Sequence, residues 1–269
     1  MLMGLEGWID AGFGAANAMA MLLAELDTEP VATFDADELL DHRARRPIMH
    51  LEDGVTTNLS WPGIELRSSR DLVDHDLLLL VGAEPDHAWR AFSNAVVDLA
   101  LDFGTRLVLG LGAYPAATPH TRPTLLSCTA NSEELAAAWP FLRGTLDVPA
   151  GVQAAIERRC LDVGLPAMGV WAQVPHYTSA MAYPPASMAL VDGLMKVGDL
   201  TLPVGDLPDE ARQARERLDS IIAGNDEHTE MVRALEREAD SSANQPPLPS
   251  GDELAAELER FLREHGKND

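Results

Sequence analysis

Short apolar runs alternate with amphipathic helical patterns along the first 200 residues, and this alternation constrains the fold more than any other feature. The run at residues 77–81, Leu-Leu-Leu-Leu-Val, is continuous, as expected of a strand that is buried on both faces of a sheet. Strands and helices that follow each other in turn are typical of a mostly parallel sheet sandwiched by helices. The sequence therefore predicts an α/β fold.

The predicted elements follow from hydrophobic spacing and from turn residues. Strands are predicted at residues 2–5, 31–34, 77–81, 106–111, 124–129 and 167–174. Helices are predicted at residues 11–26, 37–41, 87–103, 151–163 and 185–197. Three further runs, at residues 48–51, 55–59 and 64–67, are separated by Asp53-Gly54 and Pro62-Gly63, which are turn signals. We expect these three runs to form antiparallel strands at an edge of the sheet.

Beyond residue 200 the chain changes to charged helical segments, at residues 208–223, 226–240 and 251–265. Residues 241–250 are rich in serine and proline and predict a flexible linker. We therefore expect an α/β domain at residues 1–200 and a C-terminal helical appendage at residues 201–269. At the other end, residues 1–5 resemble the end of a strand, which predicts that the N-terminus is truncated.

The charge of the chain excludes several classes of partner. The 269 residues include 43 acidic and 20 basic side chains, for a formal net charge of −23. Such a surface repels phosphate backbones and anionic lipids, so we expect neither nucleic-acid nor membrane binding. No apolar run approaches the roughly 20 residues that span a bilayer, and no signal-peptide pattern opens the sequence. We expect a cytoplasmic protein.

The sequence indicates no metal, no cofactor and no nucleophilic triad. Cys128 and Cys160 are the only cysteines, and their positions fit neither a zinc-ligand pattern nor a disulfide framework. We expect both to be reduced thiols in the core. No H-x-x-x-H pair, phosphate-binding G-x-x-x-x-G-K-[ST] loop or G-x-S-x-G nucleophile elbow occurs in the sequence.

Polar side chains follow several predicted strands, where α/β proteins place their functional groups. We take five of them as candidate ligand-binding residues: Asp10, Glu84, His120, Arg122 and His176. If they converge, the carboxyl edge of the sheet carries a polar cleft. Each also has a structural interpretation, because Asp10 suits a helix cap and Glu84 suits the shaping of a strand-to-helix loop.

The segment Pro119-His120-Thr121-Arg122-Pro123 contains the strongest of these candidates. Two prolines restrict the backbone around a histidine that titrates near neutrality and an arginine that suits bidentate capture of a carboxylate or phosphate. The alternative is that Arg122 forms an internal ion pair with an acid such as Glu84 or Asp10 and so orders the strand ends. The sequence leaves both interpretations open.

Several motifs in a fixed order carry a family resemblance. They are Gly7-Trp8 with Asp10-Ala11-Gly12, Gly82 with Glu84-Pro85 and Trp89, Pro119 to Pro123, and Pro175-His176-Tyr177. Over residues 5–197 they resemble the PAC2 family, the proteasome assembly chaperone 2 group, in its actinobacterial branch. The resemblance implies a fold similar to nucleoside phosphorylases, a homo-oligomer with a trimer as one form, and a chaperone role in some members.

One departure from the family pattern matters. Chaperone members that dock on the proteasome often end in a hydrophobic-tyrosine-any motif, whereas this sequence ends in His-Gly-Lys-Asn-Asp. Binding through another surface stays open. The leading hypothesis is a non-enzymatic interaction protein or assembly chaperone that contacts itself and, among other proteins, proteasome subunits. The alternative is a phosphorylase-like or hydrolase-like enzyme, or an anion-binding protein, that uses the polar cleft.

Overall fold

The computed structural model of the chain describes residues 1–7 and 9–243. Within them the strands are β1 (Leu2–Glu6), β2 (Glu29–Phe34), β3 (Ile48–Glu52), β4 (Val55–Ser60), β5 (Ile64–Arg70), β6 (Asp76–Ala83), β7 (Val108–Ala116), β8 (Leu126–Ala130) and β9 (Ala167–Pro175). The helices are α1 (Gly14–Glu25), α2 (Ala36–Leu39), α3 (Trp89–Asp102), α4 (Glu133–Ala137), α5 (Val152–Val163), α6 (Pro184–Gly198), α7 (Leu207–Ala223) and α8 (Asp226–Ala243). Two short 3-10 turns lie at Ala11–Phe13 and His176–Thr178.

Seven strands form one sheet in the order β2-β5-β6-β1-β7-β9-β8. The four central strands β6, β1, β7 and β9 are parallel. On their two sides, β5 and β8 run antiparallel to the parallel strands that they contact. The edges are β2, which pairs with β5, and β8. The predicted α/β fold with a mostly parallel central sheet is confirmed.

Helices cover both faces of the sheet and divide the core into two layers. Side chains alternate along β6, so Leu79 packs in the layer of α1, α6 and α7, whereas Leu80 packs in the layer of α3 and α5. Both leucines are fully buried, and each such burial stabilises the fold by about 1.5–3 kcal/mol. Burial on both faces explains why this strand has a continuous apolar sequence.

The start of α1 and the end of β7 differ from the prediction for physical reasons that the structure shows. Helix α1 begins at Gly14, three residues later than expected, because Gly12 and Phe13 have φ angles of 65° and 52° that a right-handed helix does not allow. Strand β7 continues to Ala116 instead of ending at Leu111, because it stays paired with β9 to the end of both strands. The loop after β7 is therefore shorter than the sequence suggests.

Strands β3 and β4 form a separate two-stranded hairpin and do not join the sheet. The Asp53-Gly54 turn closes it with positive φ angles at both residues, as its sequence predicts. All of residues 48–61 are exposed, and we call this segment the arm. The predicted position at the sheet edge is wrong for β3 and β4, and β5 lies inside the sheet because β2 covers its outer side.

Helices α7 and α8 follow the last strand and helix of the body. Leu207 and Leu218 of α7 belong to the core layer of α1 and α6, and α8 buries Val232 and Leu235. Helix α8 continues through Ala243, so residues 241–243 are helical and do not form the predicted linker. Residues 244–250 and the predicted helix at residues 251–265 lie outside the described residues. The division into domains at residue 200 stays a prediction.

Both cysteines are free, as expected from their spacing. Cys160 is a buried residue of α5, and Cys128 is half-buried in β8. Burial raises the pKa of the Cys128 thiol, and burial together with the nearby Glu157 raises that of Cys160 to about 11. Both thiols therefore stay protonated near neutral pH, which suits packing and does not suit nucleophilic chemistry.

Candidate functional site

The loop that contains Pro119 and Pro123 joins β7 to β8, and its histidine is almost completely buried. His120 is 1% exposed. Its backbone N–H donates to the Tyr177 hydroxyl at 2.9 Å, and its Nδ1 lies 2.7 Å from the same oxygen. Its Nε2 lies 3.1 Å from Oδ1 of Asp219 on α7. The imidazole therefore links the strand end after β9 to α7.

The partners around His120 suit the tautomer that carries its proton on Nε2. The Tyr177 oxygen accepts the backbone N–H of His120 and can donate its phenol proton to Nδ1. In this tautomer the Nε2–H donates to Asp219. Burial raises the pKa of Tyr177 to about 12, and the hydrogen bond from His120 only partly offsets this effect, so the phenol keeps its proton.

The next residues of the loop bind helix α8. Thr121 donates its hydroxyl to Oε1 of Glu236 at 2.6 Å. Arg122 makes a bidentate contact with Asp240, with Nε and Nη2 at 2.8 and 2.7 Å from the two carboxylate oxygens, and Nη1 lies 3.2 Å from Glu236. Hydrogen bonding from Arg122 lowers the pKa of Asp240. All three polar side chains between the prolines therefore fasten the C-terminal helices to the body.

These contacts select between the two interpretations of Arg122. The arginine forms an internal ion pair, as the structural interpretation expects, but its partner acids are not the examples Glu84 and Asp10. Its partners are Glu236 and Asp240 on α8, whereas Glu84 and Asp10 bind backbone groups elsewhere. The acids that pair with Arg122 come from a helix that follows it by more than 100 residues.

Asp10 caps helix α1. Its two carboxylate oxygens accept the backbone N–H groups of Ala15 and Ala16 at 2.8 and 2.9 Å. Burial raises the pKa of Asp10, and these backbone donors partly oppose the rise. The capping role that the sequence suggests is therefore present. Trp8, from the same motif, lies outside the described residues.

Glu84 caps a helix on the opposite face of the sheet. Its Oε1 accepts the backbone N–H of Val152, the first residue of α5, at 2.6 Å. Its own backbone N–H donates to the carbonyl of Glu6 at 2.9 Å, which joins the ends of β6 and β1. The glutamate thus orders the strand-to-helix loop, in line with its structural interpretation.

His176 is exposed at the start of the 3-10 turn after β9, where its ring lies edge-on to Tyr177 with centroids 5.3 Å apart. Among the described residues its imidazole makes no hydrogen bond or ion pair. The Tyr177 ring also lies edge-on to His120, at 5.8 Å. Tyr177 is therefore the residue that brings the two predicted histidines into one neighbourhood.

The five candidates do not form one polar cleft. Asp10 accepts hydrogen bonds from the start of α1, and Glu84 accepts one from the start of α5. These two helices lie on opposite faces of the sheet. Only His120, Arg122 and His176 share a neighbourhood. A cavity of about 510 Å³ lies between α1 and α7, and none of the five candidates lines it. Ligand binding by these residues stays a prediction, and their observed contacts are structural.

Sequence reasoning missed the residues that complete this site: Asp219 on α7, and Glu236 and Asp240 on α8. The sequence signal for two of these residues was the helical spacing of the acids in α8. Glu236 and Asp240 are four residues apart and so lie on one face of a helix, where one arginine can reach both. Nothing in the local sequence says that this face meets the loop at residues 119–123.

Within residues 1–7 and 9–243, no cluster of three or more His, Cys, Asp or Glu side chains is placed to hold a metal ion. No helix in this part of the chain is both long and apolar enough to cross a membrane.

Comparison with known proteins identifies the family. A model of the PAC2 family matches residues 4–222, which includes the loop, the sheet and almost all of α7. The chain belongs to the PAC2 family. No curated protein sequence gives a significant match.

Solved structures extend the comparison. A Corynebacterium glutamicum protein of unknown function is 33% identical to this PAC2 protein, with 90% of each chain covered and a TM-score of 0.85. A Mycobacterium tuberculosis proteasome-assembly chaperone homologue is 33% identical, with 86% of this chain and 98% of that chain covered and a TM-score of 0.79. Pyrococcus furiosus PbaA, an archaeal homolog of proteasome-assembly chaperone, shares the fold at 16% identity over 87% and 94% of the chains, with a TM-score of 0.57.

Removing the guanidinium of Arg122 should loosen α8. In Arg122→Met the apolar stem is kept and the contacts to Glu236 and Asp240 are lost. We expect the amides of α8 to exchange with deuterium roughly threefold faster, with little change in the sheet. The matched control is Arg212→Met, because Arg212 pairs with two acids of its own helix α7 and, within the described part of the chain, with no acid of another element.

The effect of Arg122→Met should depend on pH. Arg122 lowers the pKa of Asp240, so this contact stabilises the fold above the unfolded-state pKa of about 4 and is lost as pH falls through the lower, folded-state value. Exchange rates of wild type and variant should therefore differ at pH 7 and converge in acid. Equal rates for α8 at pH 7 would show that the ion pairs of Arg122 contribute little to holding α8 in place.

Proposed function

We propose that this PAC2 protein is a non-enzymatic interaction protein with an assembly-chaperone-like role, and that it works as a homo-oligomer in the cytoplasm. Family membership supports the proposal. Relatives described as proteasome-assembly chaperone homologues point to protein partners, with proteasome subunits as the first to test.

The observation that carries the proposal is the arm. Its apolar side chains are exposed, with Ile48 at 66% and Val55 at 64% of full exposure, and Trp61 at its base is also exposed. An isolated hairpin is marginally stable in water, and several exposed large apolar side chains on one short segment are typical of a surface that meets a partner. These features support the arm as the surface that contacts another protein.

The alternative of an enzyme or anion-binding protein is not favoured. It requires the five predicted residues to face a common cleft, but Asp10 and Glu84 cap helices on opposite faces of the sheet. Arg122, the residue best suited to hold an anion, already has two carboxylate partners. A ligand at this position would have to displace α8.

Co-elution with proteasome α-subunits tests the chaperone-like role. The full chain, mixed with recombinant α-subunits of the same organism, should elute with them in size-exclusion chromatography at physiological salt. The variant Met49→Thr/Leu59→Thr should lose at least about 90% of this co-elution, because a contact residue of this kind contributes about 1 kcal/mol or more. Threonine keeps a high strand propensity, and Met49 and Leu59 are opposite each other in the hairpin, so the arm should still form.

The control is Leu101→Gln/Leu161→Gln, which removes two exposed leucines from α3 and α5 and should co-elute like wild type. Failure of the wild-type chain to co-elute with α-subunits would contradict the chaperone-like role. If the arm variant bound the α-subunits as well as wild type does, the docking surface would lie on another part of the protein.

A further inference from the structure

The cavity between α1 and α7 plays no part in the proposed function. Its volume of about 510 Å³ lies within the range of about 300–1,000 Å³ that is typical of small-molecule sites. Glu25, the last residue of α1, lies beside the start of α7, because a Cβ on Gly205 would be 3.7 Å from Cγ of Glu25. The end of α1 therefore meets the start of α7, and the cavity runs between two antiparallel helices.

The two ends of this cavity carry opposite charges. Glu25, Asp206 and Glu210 line the end at the start of α7. Arg217 lies seven residues after Glu210 on α7, and Asn17 lies eight residues before Glu25 on α1, so these two line the other end. At about 1.5 Å per helical residue, the two ends are about 10–12 Å apart. Arg217 is therefore too far from the acids to neutralise them itself.

The polar side chains around the cavity are not used within the chain. In residues 1–7 and 9–243, no hydrogen bond or ion pair engages the side chains of six lining residues: Asn17, Glu25, Asp206, Glu210, Gln213 and Arg217. Away from the cavity on the same helix α7, Arg212 pairs with Asp209 and Glu216 at 2.9 and 3.3 Å. The groups that line the cavity are thus available to a ligand.

The acidic end suits an ammonium group better than a metal ion. Three carboxylates beside one cavity repel each other, and a cation between them removes this repulsion. Among the described residues, however, no three Asp, Glu, His or Cys side chains are placed to share a metal ion. An ammonium group donates three hydrogen bonds and carries no fixed coordination geometry, so it can use carboxylates that are further apart.

The opposite end suits a carboxylate, because the guanidinium of Arg217 can bind one in bidentate fashion. Between the two ends, the amide of Gln213 can both donate and accept hydrogen bonds, and Met21 and Leu207 add apolar surface. A matching ligand has an ammonium group and a carboxylate about 10 Å apart, with polar and apolar groups between them. A fully extended peptide of three residues spans about 10 Å.

We propose that this cavity binds a short peptide with free termini, of about three residues. Its ammonium group lies among Glu25, Asp206 and Glu210, and its carboxylate binds Arg217. The proposal does not rest on the chaperone-like role, because no residue of the arm or of the loop at residues 119–123 lines the cavity.

Titration calorimetry of the full chain with trialanine tests the site. Trialanine should bind with a dissociation constant below about 1 mM. N-acetyl-trialanine and trialanine amide should each bind about fivefold more weakly, because each lacks one of the two terminal charges. Dialanine is too short to reach both ends and should bind no more tightly than the two capped peptides.

Variants locate the site and the direction of the peptide. Arg217→Met should weaken trialanine binding about fivefold and leave the affinity for trialanine amide unchanged, because the amide has no carboxylate for Arg217 to bind. Glu210→Gln should weaken trialanine binding and leave the affinity for N-acetyl-trialanine unchanged, for the corresponding reason. The control is Arg215→Met, because Arg215 is an exposed residue of α7 that does not line the cavity. It should bind trialanine like wild type.

Three outcomes would overturn the proposal. They are the absence of saturable binding up to about 10 mM trialanine, capped peptides that bind as tightly as trialanine, and an Arg217→Met variant that weakens trialanine and its amide equally. Circular dichroism checks that each variant is folded. No partner protein is present in the titration, so its result is independent of the co-elution test.

Discussion

Replacing Gly82 with alanine should lower the free energy of unfolding by about 4 kcal/mol. Gly82 lies near the end of β6 with a φ of 115°, a conformation that side chains rarely adopt. A Cβ there would lie 2.1 Å from the carbonyl oxygen of Gly63 and 2.9 Å from Cα of Ile64. Both are backbone atoms at the start of β5, so neither can rotate away. The substitution would have to separate β5 from β6.

Gly54→Ala is the matched control for this prediction. Gly54 also has a positive φ, of 82°, but in the described part of the chain nothing lies within 4 Å of its added Cβ. We expect a cost of about 1 kcal/mol, confined to the tip of the arm. Urea denaturation followed by fluorescence measures both variants. Similar losses for the two would show that the positive φ alone, and not the contact with β5, fixes glycine at position 82.

The parts of the fold that could be predicted are those in which burial leaves a local pattern. The run at residues 77–81 is a strand because Leu79 and Leu80 pack into opposite core layers, and only a central strand requires apolar residues on both sides. The Asp53-Gly54 turn was also predictable, because these two residues accept the positive φ angles that the hairpin requires.

The position of the arm could not be predicted, because its sequence resembles that of an ordinary sheet strand. The apolar residues at 48–61 are exposed, but their sequence pattern is the same as that of a sheet strand covered by a layer of helices. Whether a hairpin joins a sheet depends on contacts that are distant in sequence. If a partner protein covers the arm, the apolar side chains of the arm are buried between chains and not within one.

The same limit applies to the candidate site. The polar loop at residues 119–123 was predictable from its prolines and side chains, and so was an ion pair for Arg122. Its partners were not, because Asp219 and Asp240 follow the loop residues that they bind by 99 and 118 positions. A charged helix such as α8 shows by its spacing which residues share a face, but it does not show which part of the body that face meets.

Replacing His120 with leucine should lower the free energy of unfolding by about 3 kcal/mol. Leucine fills a similar volume but cannot accept the phenol proton of Tyr177 or donate to Asp219. Because burial raises the pKa of Tyr177 to about 12, the phenol would keep its proton and lose the imidazole nitrogen as its partner. Loss of the link to Asp219 should also speed amide exchange in α7, measured by deuterium uptake alongside urea denaturation.

His176→Ala is the control, because His176 is a histidine of the same neighbourhood that is exposed and touches Tyr177 only through its ring. Its stability should change by less than about 0.5 kcal/mol. A large loss for His120→Leu beside a small one for His176→Ala would assign the buried histidine to holding α7 against the body. If His120→Leu were as stable as wild type, the buried network would contribute little to the fold. A ligand-binding role for the loop at residues 119–123 would then regain support.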